Sequence, residues 1–239
     1  MKTVKRKEDF QPKPAMIAGL SLMLMTIAAF FSYGYAHSSL VIYEDAAKTY
    51  DLLRPSLSLF HMEIAGWGVI ILTDLIVAWA LYKVLKPIHP LYALLVGVLR
   101  LFYTIILAMA VFHLVIVSRI ILDNSGTVEQ VMDSLLLFEK FWSIGLIVFG
   151  FHLIMVGILA LKAPFIPKWI SILLIIAGVS YTLIHSMYNG LPQYETMTAD
   201  MEIFLSLPMM IGELGLGIWL FFKGIQTLHN SRPSYLGAS

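Results

Sequence analysis

Hydrophobic positions gather into six long runs, at approximately 15–36, 59–82, 90–117, 138–161, 169–189 and 203–222. A helix needs about 20 apolar residues to cross a hydrocarbon core roughly 30 Å thick. Backbone polar groups in lipid must be satisfied within their own segment, so runs of this length read as transmembrane helices. The expected fold is all-α, a polytopic membrane protein built as a bundle of six transmembrane helices. The first run follows a basic stretch and ends in "GYAHSS", which has a slight likeness to a signal-peptide cleavage site. It is longer than the ~7–15 apolar residues of a signal core and is read as a retained first helix.

The polar stretches between the runs are of two kinds. On one side of the membrane they are long and acidic: "VIYEDAAKTYDLLRP" (41–55), "LDNSGTVEQVMDS" (122–134) and "YNGLPQYETMTADME" (188–202). Within the first, "DAAKTYDLL" has helical spacing and suits a short helix along the membrane surface; Gly126 and "NGLP" (189–192) signal turns. On the other side the connections are short and proline-bounded, "KPIHP" (86–90) and "APFIP" (163–167). Matching prolines in these two turns are 77 residues apart, a weak sign of duplicated hairpins, since proline favours helix starts in any case.

Composition supports the membrane reading: 59% of the residues are hydrophobic and 13% charged, against about 45–50% and about 25% in soluble domains. Little chain remains for a soluble module or a nucleic-acid site. With a cytoplasmic N-terminus, the cytoplasmic segments hold Lys2, Lys5, Arg6, Lys7, Lys13, Lys83, Lys86, Lys162, Lys168, Lys223 and Arg232, and the outer segments hold Lys48, Arg54, Arg119 and Lys140. This excess of basic residues on one side orients the bundle with both termini cytoplasmic. The expected organisation is a basic tail at 1–14, a six-helix domain at 15–225 and a second cytoplasmic tail at 226–239. The chain has no cysteine, which excludes disulfides, thiolate ligands and thiol nucleophiles.

Four ionisable residues interrupt the apolar runs at one depth. Asp74 lies nine residues before Lys83, Arg100 ten after Pro90, His152 ten before Lys162 and Glu213 ten before Lys223. At 1.5 Å per residue each sits roughly 13–15 Å from the cytoplasmic edge, near the bilayer midplane. A charge there costs at least about 2.5–3.5 kcal/mol, so all four are expected to face inward. Arg100 is expected to pair with Asp74 or Glu213, and His152 to hydrogen-bond the remaining carboxylate. Such a layer is either structural glue between helices or a site for a ligand or a relayed proton. Asp74, His152 and Glu213 also offer oxygen and nitrogen donors to a metal, against which Arg100 argues.

A second polar set lies near the outer ends: His37, His61, Glu63, His113 and His185. His61, His113 and His185 are weak candidates for a metal, and the outer histidines weak ones for haem. His61 and Glu63, two positions apart, point to different helix faces. Glycines at 150, 157 and in "GELGLG" (212–217) allow helices to approach closely. Trp67, Trp79, Trp142, Trp169 and Trp219 fit anchoring or packing. The sequence has no Gly-x-Ser-x-Gly, His-Glu-x-x-His or phosphate-binding glycine loop. Ser143 has no base near it in sequence. No catalytic residue and no cofactor is implied.

The strings "SSLVIYEDAAKTYDLL", "DLIVAWALYKVLKP", "LRLFYTIIL", "VFGFHLIMVGILALKAPFIPKWISILLIIAGVSY" and "PMMIGELGLGIWLFFKG" together resemble the bacterial multi-pass membrane family known as domain of unknown function 4386, over about residues 15–225. The resemblance implies a six-helix protein of the bacterial plasma membrane, and a family pattern that includes Asp74, Arg100, His152, Pro167, Gly178 and Glu213. The chain departs from that pattern at His185, where an aspartate is often found. The resemblance implies no activity. The leading functional reading is a small transporter-like or ligand-sensing bundle centred on the four buried residues. The competing one is an accessory scaffold in which the same charges are structural, and a third is an intramembrane lipid-modifying enzyme. The expected partners are the lipid bilayer, with a small molecule or lipid, or another membrane protein, and no nucleic acid.

Overall fold

The computed structural model describes residues 10–230, and the basic positions 2, 5, 6, 7 and 232 lie outside them. Seven helices make up the described chain. Six are long and apolar enough to cross a membrane: α1 (Pro12–Leu40), α3 (Leu57–Leu85), α4 (Pro90–Asp123), α5 (Val128–Lys162), α6 (Lys168–Gly190) and α7, which follows a one-turn 3-10 segment and runs Glu195–Asn230. The seventh, α2 (Ala46–Leu53), is the short helix expected in the first acidic loop. Asp45 caps it by accepting from the Lys48 backbone N–H.

The membrane helices extend beyond their apolar runs. Helix α5 starts ten residues earlier than the hydropathy suggests, because Thr127 and Gln130 form a reciprocal capping box and Val131 and Leu135 are buried beneath the loop. Helix α7 likewise begins at Glu195 and continues to Asn230. Hydropathy marks the lipid-crossing part of a helix, whereas the hydrogen-bonded ladder runs on until a cap ends it. Asn124, the one non-glycine at positive φ (46°) among the described residues, closes α4 in the left-handed conformation. Proline starts the helices after the short turns, as the first residue of α4 and as the cap before α6.

Each membrane helix packs on its neighbours in sequence, and α7 closes on α1, so the six form a ring in chain order. Glycines set two of the seams. A Cβ on Gly178 would lie 2.5 Å from the carbonyl oxygen of Gly150, so α5 and α6 touch backbone to backbone. Gly19 and Gly217 do the same for α1 and α7. Van der Waals contact of this kind drives helix association where no hydrophobic force distinguishes protein from lipid. Large apolar side chains such as Leu72, Phe102, Phe112 and Phe151 cover the outside of the ring, as a lipid-facing surface requires.

Candidate functional site

Arg100 fills the centre of the ring. It is fully buried and touches four membrane helices besides its own. Its Nε donates to Asp74 Oδ1 of α3 at 2.8 Å, and Nη2 stands 2.6 Å from the same oxygen. Nη1 donates to Glu213 Oε1 of α7 at 2.5 Å. Nη2 also reaches Met25 Sδ of α1 at 3.3 Å, and the guanidinium lies over the Phe149 ring of α5 at 5.3 Å. Two carboxylates compensate one buried cation, and each contact joins a different helix to α4.

His152 departs from expectation. It hydrogen-bonds no carboxylate: Nδ1 lies 2.9 Å from the Val96 carbonyl oxygen and Nε2 lies 3.3 Å from Arg100 Nη1. A carbonyl can only accept, so Nδ1 carries the hydrogen, and Nε2 presents its lone pair to the guanidinium. Arg100 has enough N–H groups to use both carboxylates itself, which leaves His152 the remaining guanidinium edge. Protonating Nε2 would set two cations against each other, so this geometry suits a neutral imidazole and not a proton carrier. The imidazole fixes Arg100, and through Val96 ties α5 to α4.

Of the four residues only Glu213 borders open space. Its side chain is 17% exposed, while those of Asp74 and Arg100 are 0% exposed. It lines a cavity of about 310 Å³ to which all six membrane helices contribute. The walls are aromatic, from Tyr33, Trp67, Tyr103, Trp142, Phe149 and Tyr181. The cavity lies where α1 and α7 stop touching closely: the glycine seam ends at Gly217, and before Pro208 the N-terminal part of α7 exposes Leu207, Phe204 and Ile203.

A second polar cluster stands beyond the cavity; the sequence pointed to two of its members, His37 and Glu63, and missed Tyr43 and Glu139. A π-helical stretch at Phe30–His37 turns His37 inward. His37 Nδ1 lies 2.7 Å from Glu63 Oε1 and Nε2 2.9 Å from the Tyr43 hydroxyl, which donates to Glu139 Oε1 at 3.1 Å. Burial first, and then the Glu139 carboxylate, hold the Tyr43 phenol above the ordinary tyrosine range. Trp67 links this cluster to the cavity: its ring lines the wall and its Nε1 donates to Glu63 Oε1 at 3.4 Å.

The remaining histidines do not come together. His61 bonds Ser118 at 2.7 Å, His113 stacks on Phe141, and His185 bonds Ser143. Among the described residues no group of three His, Cys, Asp or Glu side chains could hold a metal. Ser143, which has no base nearby in sequence, gains one across the helix pair: its Oγ lies 3.0 Å from His185 Nδ1 and accepts from Asn189 Nδ2 at 2.8 Å. Among the described residues nothing hydrogen-bonds His185 Nε2, so the third, orienting group of a nucleophile–base–orienter arrangement is missing.

No solved structure matches the chain. A curated relative from Archaeoglobus fulgidus, described as an uncharacterized protein, is 26% identical over 161 residues, covering 67% of this chain and 83% of its own length. The family model for the domain of unknown function DUF4386 matches residues 17–224, a stretch that includes Arg100, all three of its polar partners and the whole cavity wall, and the chain belongs to that family.

Proposed function

We propose that this is a small-molecule-binding membrane bundle, of the transporter or sensor kind, whose ligand occupies the aromatic cavity and meets the buried polar layer at Glu213. The observation that carries this reading is the continuity of the two: a sealed cluster would serve as glue alone, whereas here one carboxylate of the cluster forms part of a cavity wall. The cavity is at the small end of the roughly 300–1,000 Å³ range of ligand pockets and has their usual apolar lining with few polar groups. The charge asymmetry supports a plasma-membrane orientation with both termini cytoplasmic.

The scaffold reading rests on a different observation, the attachment of Arg100 to four other membrane helices, which would hold the ring together whatever the cavity does. Reagent access separates the two. In this cysteine-free chain Leu146→Cys places a thiol on the cavity wall and Val77→Cys one in the closed core. A small membrane-permeant maleimide should modify the first in the folded protein and spare the second. If neither thiol reacts until the protein is unfolded, the cavity is closed and the scaffold reading stands.

A further inference from the structure

The cavity wall has one acidic side chain to offer and no basic one. Glu213 is the only carboxyl side chain among its lining residues, and no lysine, arginine or histidine lines it. Behind the cavity wall two carboxyl groups, Asp74 and Glu213, share one guanidinium, and His152, which gives its N–H to Val96 and its lone pair to Arg100, brings no second cation to them. An anionic ligand would find no free cationic side chain here, only neutral donors such as the unpartnered Trp142 Nε1. Arg100 is fully buried, and its Nε, Nη1 and Nη2 are already taken by Asp74, Glu213 and Met25.

Ring faces attract cations electrostatically, and the attraction strengthens when water is excluded. Seven aromatic side chains line the cavity together with Glu213: Phe30 and the six named above. One already serves a cation, since the Arg100 guanidinium lies over the Phe149 ring at 5.3 Å. At the outer end Trp67 leads to Glu63, another carboxylate. An aromatic box with a single carboxyl group, drawn from a cluster in which two carboxyl groups share one guanidinium, and with no lysine, arginine or histidine in its wall is the chemistry that recognises an ammonium group.

We infer that the cavity takes a small lipophilic organic cation, an amine or quaternary ammonium, with Glu213 as its counter-ion and the rings of Tyr33, Trp67, Tyr103, Trp142, Phe149 and Tyr181 as its walls. This rests on the cavity being a ligand site. Three probes test it on the full chain in lipid nanodiscs, read by quenching of tryptophan fluorescence and by calorimetry: benzyltrimethylammonium, its isosteric uncharged carbon analogue neopentylbenzene, and the benzyl-bearing anion phenylacetate. The cation should bind about tenfold or more tightly than the uncharged analogue. Glu213→Gln should erase that preference. Trp142→Leu, which leaves the ionic cluster intact, should weaken the cation more than the uncharged probe, and it keeps the test available if Glu213→Gln fails to fold. Equal binding of the cation and its carbon analogue, or tighter binding of phenylacetate, overturns the cation assignment while leaving the cavity a ligand site. If none of the three binds, the ligand-site reading falls and this inference with it.

Discussion

Arg100 and Glu213, 113 positions apart in sequence, meet across the centre of the ring with 2.5 Å between Nη1 and Oε1. Asp74 occupies the other edge of the same guanidinium. Removing one partner of such a buried pair strands the other, typically at about 3–5 kcal/mol. Arg100→Ala should lower stability by about that amount, measured as denaturation in detergent micelles. Asp74→Asn added to Arg100→Ala should recover much of the loss, because Asp74 has no access to the cavity. Glu213→Gln should recover less, since its partly exposed carboxylate can relax towards the cavity. Double variants no more stable than the sum of their singles would show that the charges act independently.

His152 donates to a carbonyl and accepts from a guanidinium, so a residue with one donor and one acceptor can replace it. His152→Gln is expected to stay close to wild type in thermal stability. His152→Leu should lose about 1–3 kcal/mol, the cost of leaving buried polar groups unpaired. A Gln variant as unstable as the Leu variant would mean that the imidazole has a role an amide cannot fill.

The glycine seam between α5 and α6 makes a steric prediction. Gly178→Val places atoms against the Gly150 carbonyl and the Ile154 backbone, neither of which can swing away. A stability loss of at least about 1–3 kcal/mol is expected from overpacking. Gly215→Ala is the control, because a Cβ there meets nothing within 4 Å. Comparable melting temperatures for the two variants would contradict the packing described for α5 and α6.

Topology can be tested with single cysteines in the cysteine-free background. Ser125→Cys and Gln193→Cys stand exposed at one end of the ring, and Lys86→Cys and Lys162→Cys at the other. A membrane-impermeant maleimide applied to intact cells should label the first two and miss the second two. Labelling of Lys86→Cys from outside would reverse the proposed orientation.

The sequence by itself determined the number of candidate spans, the helical class and the common layer of the four ionisable residues, because these depend on local quantities: run length, rise per residue and the cost of charge in hydrocarbon. Caps marked several boundaries as well, and Thr127 with Gln130 shows how a polar pair starts a helix ahead of its apolar run. Tertiary structure decided which partner each buried group takes. Lipid and protein interior are equally apolar, so the helices carry little amphipathic signal, and only the polar residues tell which face turns inward. Depth placed His152 beside two carboxylates without telling that Arg100 would claim both. The pairing of His37 with Glu63 depends on a π-helical turn, and that of Ser143 with His185 on the α5–α6 seam. The cavity was not legible at all, since it arises where α1 and α7 part beyond their last glycine contact, a property of the first and last membrane helices together and of neither alone.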